Sequence, residues 1–117
     1  MTTETSNAES RTGTDSLQAN TIFELLLDEQ RRDALYYLSG KVGAVALEDL
    51  VAQVALRDGE ASGTRVDAIT AGFRHNHLPK LIDAAVVRYD TDAGTVERRP
   101  EAAALDPFLQ LARRYEP

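Results

Sequence analysis

Arg74, His75 and Asn76 stand side by side, and each can hydrogen-bond a planar partner. Arg pairs bidentately with a guanine edge and Asn with an adenine edge, so on an exposed helix face the triplet is a candidate base reader. Arg65 and Lys80, on either side of it, are better placed for phosphates, and Arg98-Arg99 form a further basic pair downstream. Each of these cations serves equally well as a solvated side chain or a surface ion-pair partner. His75 and His77 invite a metal reading, but two positions apart on a helix they point to different sides and do not chelate together. His77 falls between Phe73 and Leu81 on an apolar face, where a satisfied, half-buried His is expected. There is no Cys, hence no disulfide, thiolate metal site or Cys nucleophile. Asp90-Thr91-Asp92 offers carboxylates to a hard cation, yet Asp and Gly here favour a hairpin turn. Asp28-Glu29 and Glu48-Asp49 suit helix starts rather than acid–base work. No Gly-rich phosphate loop, serine-nucleophile motif or HExxH occurs. No catalytic residue, metal or cofactor is expected, and the chain does not read as an enzyme.

The elements that must position these residues follow from periodicity. Residues 1–19 read as a polar, acidic tail too poor in apolar groups to offset its ordering entropy. Thr21-Ile22-Phe23-Glu24 matches a capping box opening a short apolar helix, and Asp28-Glu29 start a second that ends at Ser39-Gly40. Ala44-Val45-Ala46 is briefly extended. Leu47, Leu50, Val51, Val54 and Ala55 then follow the spacing of an amphipathic helix. Thr64-Arg65-Val66-Asp67 is another capping-box match. Its helix buries Val66, Ile69 and Phe73, and Leu78, Leu81 and Ile82 continue the apolar face in a new phase after a kink at Pro79. Residues 85–90 and 95–98 read as a β-hairpin about Thr91-Asp92-Ala93-Gly94. Ala102 through Tyr115 read as a last helix, with Leu105, Phe108, Leu109 and Ala112 on one face. The fold expected is mainly α with a small β-hairpin. Its plan is a winged helix-turn-helix over residues 20–99, followed by a C-terminal helix over 100–117.

Charge constrains the partners. The 117 residues carry 13 bases, all Arg except Lys41 and Lys80, against 19 acids, for a net charge of −6. An acid-rich, Lys-poor chain is suited to high salt, where carboxylates hold water and cations; an acidic protein from a GC-rich genome would look similar. Net negative charge argues mildly against nucleic acid. Its distribution softens the objection: residues 1–63 are net −6, residues 64–99 are net +1 and residues 100–117 are net −1. No apolar run approaches the ~18 residues needed to span a membrane, and no apolar leader opens the chain. A cytoplasmic protein without membrane contact is expected.

The stretch from His77 to Asp90, His-Leu-Pro-Lys-Leu-Ile-Asp-Ala-Ala-Val-Val-Arg-Tyr-Asp, resembles a characteristic segment of an uncharacterised winged-helix family of halophilic archaea. Phe23-Glu24-Leu25-Leu26, the Gln30–Leu35 run with Leu38, and Glu48–Ala55 are similar to its first and middle helices. More distantly, the plan resembles arsenical-repressor-type and multidrug-repressor-type regulators. The resemblance implies a transcription regulator that binds double-stranded DNA. The alternative is a winged-helix protein-interaction module without DNA binding, and an effector-sensing repressor is a third reading with no motif behind it. Two positions depart from the family. Ala85 replaces a Gly, so either Ala takes a positive φ or the turn differs. Ala46 replaces a Thr or Ser helix cap. Many such regulators dimerise through a flanking helix; here Leu105, Phe108, Leu109 and Ala112 are the candidate homodimer contacts, unless that helix packs back onto its own domain.

Overall fold

The computed structural model describes residues 17–60 and 62–116. Its elements are α1 (Ala19–Leu27), α2 (Glu29–Ser39), β1 (Val45–Ala46), α3 (Leu47–Asp58), α4 (Gly63–Gly72), a π-helical segment (Phe73–His77), α5 (Leu78–Asp83), β2 (Val87–Asp90), β3 (Thr95–Arg98), a 3-10 segment (Pro100–Leu105) and α6 (Asp106–Arg113). The fold is mainly helical with a small antiparallel sheet. The sheet has three strands in the order β1-β3-β2, so the brief extended stretch before α3 joins the hairpin. Val45 pairs with Val96 and Ala46 with Thr95, while Tyr89 faces Val96 from the other side. Among the described residues no helix is long and apolar enough to cross a membrane.

The amphipathic spacing of α3 is realised: Leu47, Leu50, Val51, Val54 and Ala55 are all buried. They join Leu25, Leu35, Leu38, Ile69, Phe73, Leu78, Leu81, Val86 and Val96 in one core. Each fully buried Leu, Ile or Phe there contributes about 1.5–3 kcal/mol. Ile82, expected in this core, is 42 % exposed, because the phase shift at Phe73–His77 carries it outward.

Helix starts differ from the capping-box expectation. Thr21 lies inside α1, whose N-cap is Gln18 with no side-chain bond; Ala19, assigned to the tail, is its first residue. Thr64 lies inside α4, and the true cap is Ser62, whose Oγ accepts from the Arg65 N–H. Asp28 caps α2 by accepting from the Gln30 and Arg31 N–H groups. Of the expected tail, residues 1–16 lie outside the described residues.

Proline reshapes two helices. Pro79 brings not a simple kink but a π turn ahead of it, where the Leu78 N–H bonds the Phe73 carbonyl five residues back. The wider turn accommodates a ring that would otherwise press on the carbonyl one turn earlier. Pro107 divides the expected single C-terminal helix, so that a 3-10 turn precedes α6 and Pro107 occupies the first turn of α6.

The first hairpin strand starts at Val87 rather than Ala85, because Ala85 has φ 62°. Ala85 N–H bonds Ile82 O and Val86 N–H bonds Leu81 O, which is the Schellman closure of α5. Ala46 caps α3 without a side-chain bond, and the Leu47 N–H turns instead to the Gly94 carbonyl of the hairpin turn, 2.9 Å away.

Candidate functional site

The π segment presents the candidate base readers. Phe73 and His77 anchor it as buried side chains, with ring centroids 4.8 Å apart. Between them Arg74, His75 and Asn76 are all exposed. Among the described residues their side chains have no hydrogen-bond or ion-pair partner, so all their donors and acceptors are available to a ligand.

His77 is more buried than expected, at 4 % exposure, and its partners set its tautomer. The Arg31 Nη1 lies 3.2 Å from His77 Nδ1, and a guanidinium can only donate. Nδ1 therefore accepts, and Nε2 carries the proton toward Gln30 Oε1 at 3.3 Å. Burial pushes the imidazole below its ordinary pKa; Asp28 opposes this, while Arg31 and Lys80 add to it. His77 is thus a neutral structural residue tying the π segment to α2.

The same Arg31 closes α1. Its Nε and Nη2 donate to the Leu25 and Glu24 carbonyls, and Arg32 Nη1 donates to those of Leu26 and Leu27. Two adjacent guanidiniums thereby satisfy the last four carbonyls of α1, an end that has no glycine cap. Arg32 also binds Glu116 at 2.9 Å, and the Tyr36 hydroxyl donates to the same carboxylate at 2.6 Å. Burial, followed by that hydrogen bond, pushes the Tyr36 phenol up to about 12. Burial opposes ionisation of Glu116, but the bonds from Arg32 and Tyr36 hold its pKa below the ordinary value.

The remaining candidate cations are engaged and do not gather around Arg74. Arg65 grips Asp58 with two bonds of 2.9 and 3.1 Å. Lys80 reaches Glu24 at 3.1 Å on the α1–α5 side. Arg98 forms a two-bond pair with Asp106 at 2.9 and 3.0 Å, and Arg99 lies 3.5 Å from Glu101. Arg74 shares a groove with Glu48, Thr70, Tyr89 and the turn residues Ala93 and Gly94. Arg98 ends β3 four residues after Gly94, roughly 14 Å along the strand at ~3.4 Å per residue, and Arg99 follows it. Asp90 Oδ1 accepts from the Asp92 and Ala93 N–H groups, so this acid orders the turn. Among the described residues no group of three His, Cys, Asp or Glu side chains is arranged to hold a metal ion.

The candidate dimer residues divide. Leu105 and Leu109 are buried in their own core and Ala112 is half-buried, which corrects the expectation that they face a partner. Only Phe108 reaches the surface, where its ring meets Phe23 edge-on with centroids 6.2 Å apart. Sequence reasoning passed over Lys41 and Arg88, which share a groove with Arg98 and Arg99. Nothing local marks that grouping, since the residues come from three separate segments.

The sequence matches the family model for a domain of unknown function, DUF7344, over residues 23–97. The chain belongs to the DUF7344 family. The matched span runs from within α1 to Glu97 in β3, so it contains Arg65, Arg74, His75, Asn76 and Lys80. Arg98, Arg99 and the 3-10 and α6 segments lie beyond it. No curated protein and no solved structure matches the chain.

Proposed function

We propose that this DUF7344 chain is a winged helix-turn-helix transcription regulator, reading double-stranded DNA with α4 and its π extension while the hairpin turn lies alongside. The order α2, β1, α3, α4, hairpin supports that reading, as does the likeness to a winged-helix family of halophilic archaea. The observation that carries it is the exposed, unengaged Arg74-His75-Asn76 triplet, with Arg74 lining a groove beside the hairpin turn. Lys80 would exchange its exposed Glu24 partner for a phosphate, an exchange that costs little because a single exposed pair is weak. Arg65 would leave a two-bond fork on Asp58, a stronger pair, to do the same. The acidic composition supports a salt-adapted cytoplasm as the setting. There, counterion release gives little and affinity rests on base contacts and shape.

Selection from a random duplex pool in ~1–2 M KCl tests this, at a salt level where phosphate contacts are weak. The expected result is an enriched motif whose binding weakens by about 1–3 kcal/mol in Arg74→Ala, as for loss of one bidentate base contact. An unenriched pool, with weak binding that Arg74→Ala leaves unchanged, overturns it.

A second reading, a protein-interaction winged helix without DNA contact, is favoured by one observation. Four of the seven candidate DNA contacts, Arg65, Lys80, Arg98 and Arg99, are within ion-pair distance of acids of their own chain and scatter over the surface. Under either reading we propose a homodimer formed through the outward faces of α1 and α6.

A further inference from the structure

The DNA reading gives no role to Lys41 and Arg88, and the structure places Arg98 and Arg99, candidate DNA contacts by sequence, in a groove with them and at the far end of β3 from the hairpin turn. We propose that Lys41, Arg88 and Arg99 form a binding site for a small ligand bearing two or more phosphate groups, separate from the face that carries Arg74.

The site is a groove of about 690 Å³ between the loop after α2, the strands and the start of the 3-10 segment. That volume suits a small molecule rather than a single phosphate ion. Its lining holds four cations, Lys41, Arg88, Arg98 and Arg99, against one carboxylate, Glu97. Asp106 and Glu101 approach Arg98 and Arg99 from the rim, so four cations face three acids and the site keeps a net charge of +1 in a chain of net charge −6; a local positive surplus of this kind draws anions. Most of the other described cations have other work. Arg31 and Arg32 hold α1, Arg57 holds Asp33 and Arg113 lies over the Tyr36 ring.

The groove cations are weakly committed by comparison. Lys41 is exposed and lies over the Tyr37 ring, 4.8 Å from its centroid. The Arg88 side chain is 66 % exposed and meets Glu97 at 3.1 Å. Arg99 meets Glu101 at a long 3.5 Å. Exposed pairs of this kind exchange readily, and a guanidinium fork fits phosphate with two parallel bonds. Two separate forks and an ammonium call for more than one phosphate group. Arg98 does not join them as a direct contact: its two bonds to Asp106 fix it in place and offset its charge. Gly43, at φ 83°, allows the loop after Lys41 to turn along the groove, and Pro100 and Ala103 form its apolar side.

The test is titration of the full chain with inorganic tripolyphosphate at constant ionic strength, followed by amide chemical shifts. Saturable shifts are expected at Lys41, Gly43, Arg88, Arg99 and Ala103. The combined variant Lys41→Gln, Arg88→Gln, Arg99→Gln should bind about tenfold more weakly or worse, having lost charge-assisted bonds. Its thermal midpoint should be close to that of the parent, and Arg114→Gln should bind like the parent. Absence of saturation, shifts spread equally over all cations, or unchanged binding by a folded triple variant overturns the site. Shifts of the same amides on adding a short duplex would make the groove a DNA contact and overturn the small-ligand assignment. Failure of the Arg74 experiment would leave this result standing, because the two sites occupy opposite ends of β3.

Discussion

At the residue scale, two positions carry a conformational or protonation cost that can be measured. Ala85 sits at φ 62°, where an L-residue costs roughly 1–2 kcal/mol. Glycine removes that cost but loses about 0.5–1 kcal/mol of backbone entropy on folding. Ala85→Gly is therefore expected to stabilise by about 0.5–1 kcal/mol, read from the urea midpoint at unchanged slope; a lower midpoint would mean that the Ala85 methyl contributes more than its strain. His77 gives a pH prediction. Burial and Arg31 favour its neutral form in the fold, whereas the unfolded chain titrates near the ordinary value of 6.5. Below that pH the unfolded state binds more protons, so stability declines as pH falls through it and levels off above it. His77→Gln keeps an acceptor for Arg31 and a donor for Gln30 without titrating. Urea midpoints over roughly pH 5–7.5 should fall on acidification more steeply for the parent than for this variant. Identical pH dependence in the two would refute the assignment. The burial of His77 was legible from its place between Phe73 and Leu81, but its partner was not, because Arg31 lies 46 residues away.

At the element scale, local pattern and long-range pairing part company. The buried face of α3, the end of α2 at Gly40 and the turn at Asp90–Gly94 could all be read in the sequence, since each depends on residues within a turn or two of one another. The third strand could not: Val45-Ala46 is too short to signal a strand, and its partner Val96 lies 51 residues on. The capping-box matches at Thr21 and Thr64 failed for a related reason. The pattern states which residues are able to cap, while the entry angle of the chain decides which of them does, and Ser62 prevailed for α4. Likewise the basic types at Arg65, Lys80, Arg98 and Arg99 were visible, but their acid partners became so only in the fold. Ala46, like Gln18 at the start of α1, makes no side-chain cap bond, and it leaves a gap that a side chain could fill. Its backbone, at φ −66° and ψ 137°, already has cap geometry, and Gly94 O serves only the Leu47 N–H. Ala46→Ser supplies a hydroxyl for the Glu48 or Asp49 N–H and should stabilise by about 1 kcal/mol. Thermal melts at several urea concentrations would show it. A neutral or negative effect would mean that pairing of Ala46 with Thr95 leaves the hydroxyl no room to turn.

At the scale of the whole molecule, the surface divides into an unengaged polar triplet on the π segment, a cationic groove at the foot of the hairpin and an apolar face on α1 and α6. Phe23 and Leu27 are 60 % and 81 % exposed and lie one turn apart on α1, while Phe108, Leu111 and Tyr115 are 36 %, 53 % and 82 % exposed along the α6 side. The Phe23–Phe108 contact joins the two stripes into one patch, and continuous apolar surface rimmed by charge marks an interaction site. A two-fold dimer would set this patch against itself. Removing everything after Pro100 would not test the idea, because Ala102, Leu105 and Leu109 belong to the core. Leu111→Glu is the cleaner change, since an exposed side chain can be replaced without opening a cavity. Sedimentation over a wide concentration range should give a dimer for the parent and a monomer for Leu111→Glu, with closely similar far-ultraviolet circular dichroism. A parent that sediments as a monomer throughout would refute the dimer. A variant that still dimerises would move the interface off this face, and any paired arrangement of two Arg74 triplets on a palindromic duplex would then need a different two-fold axis.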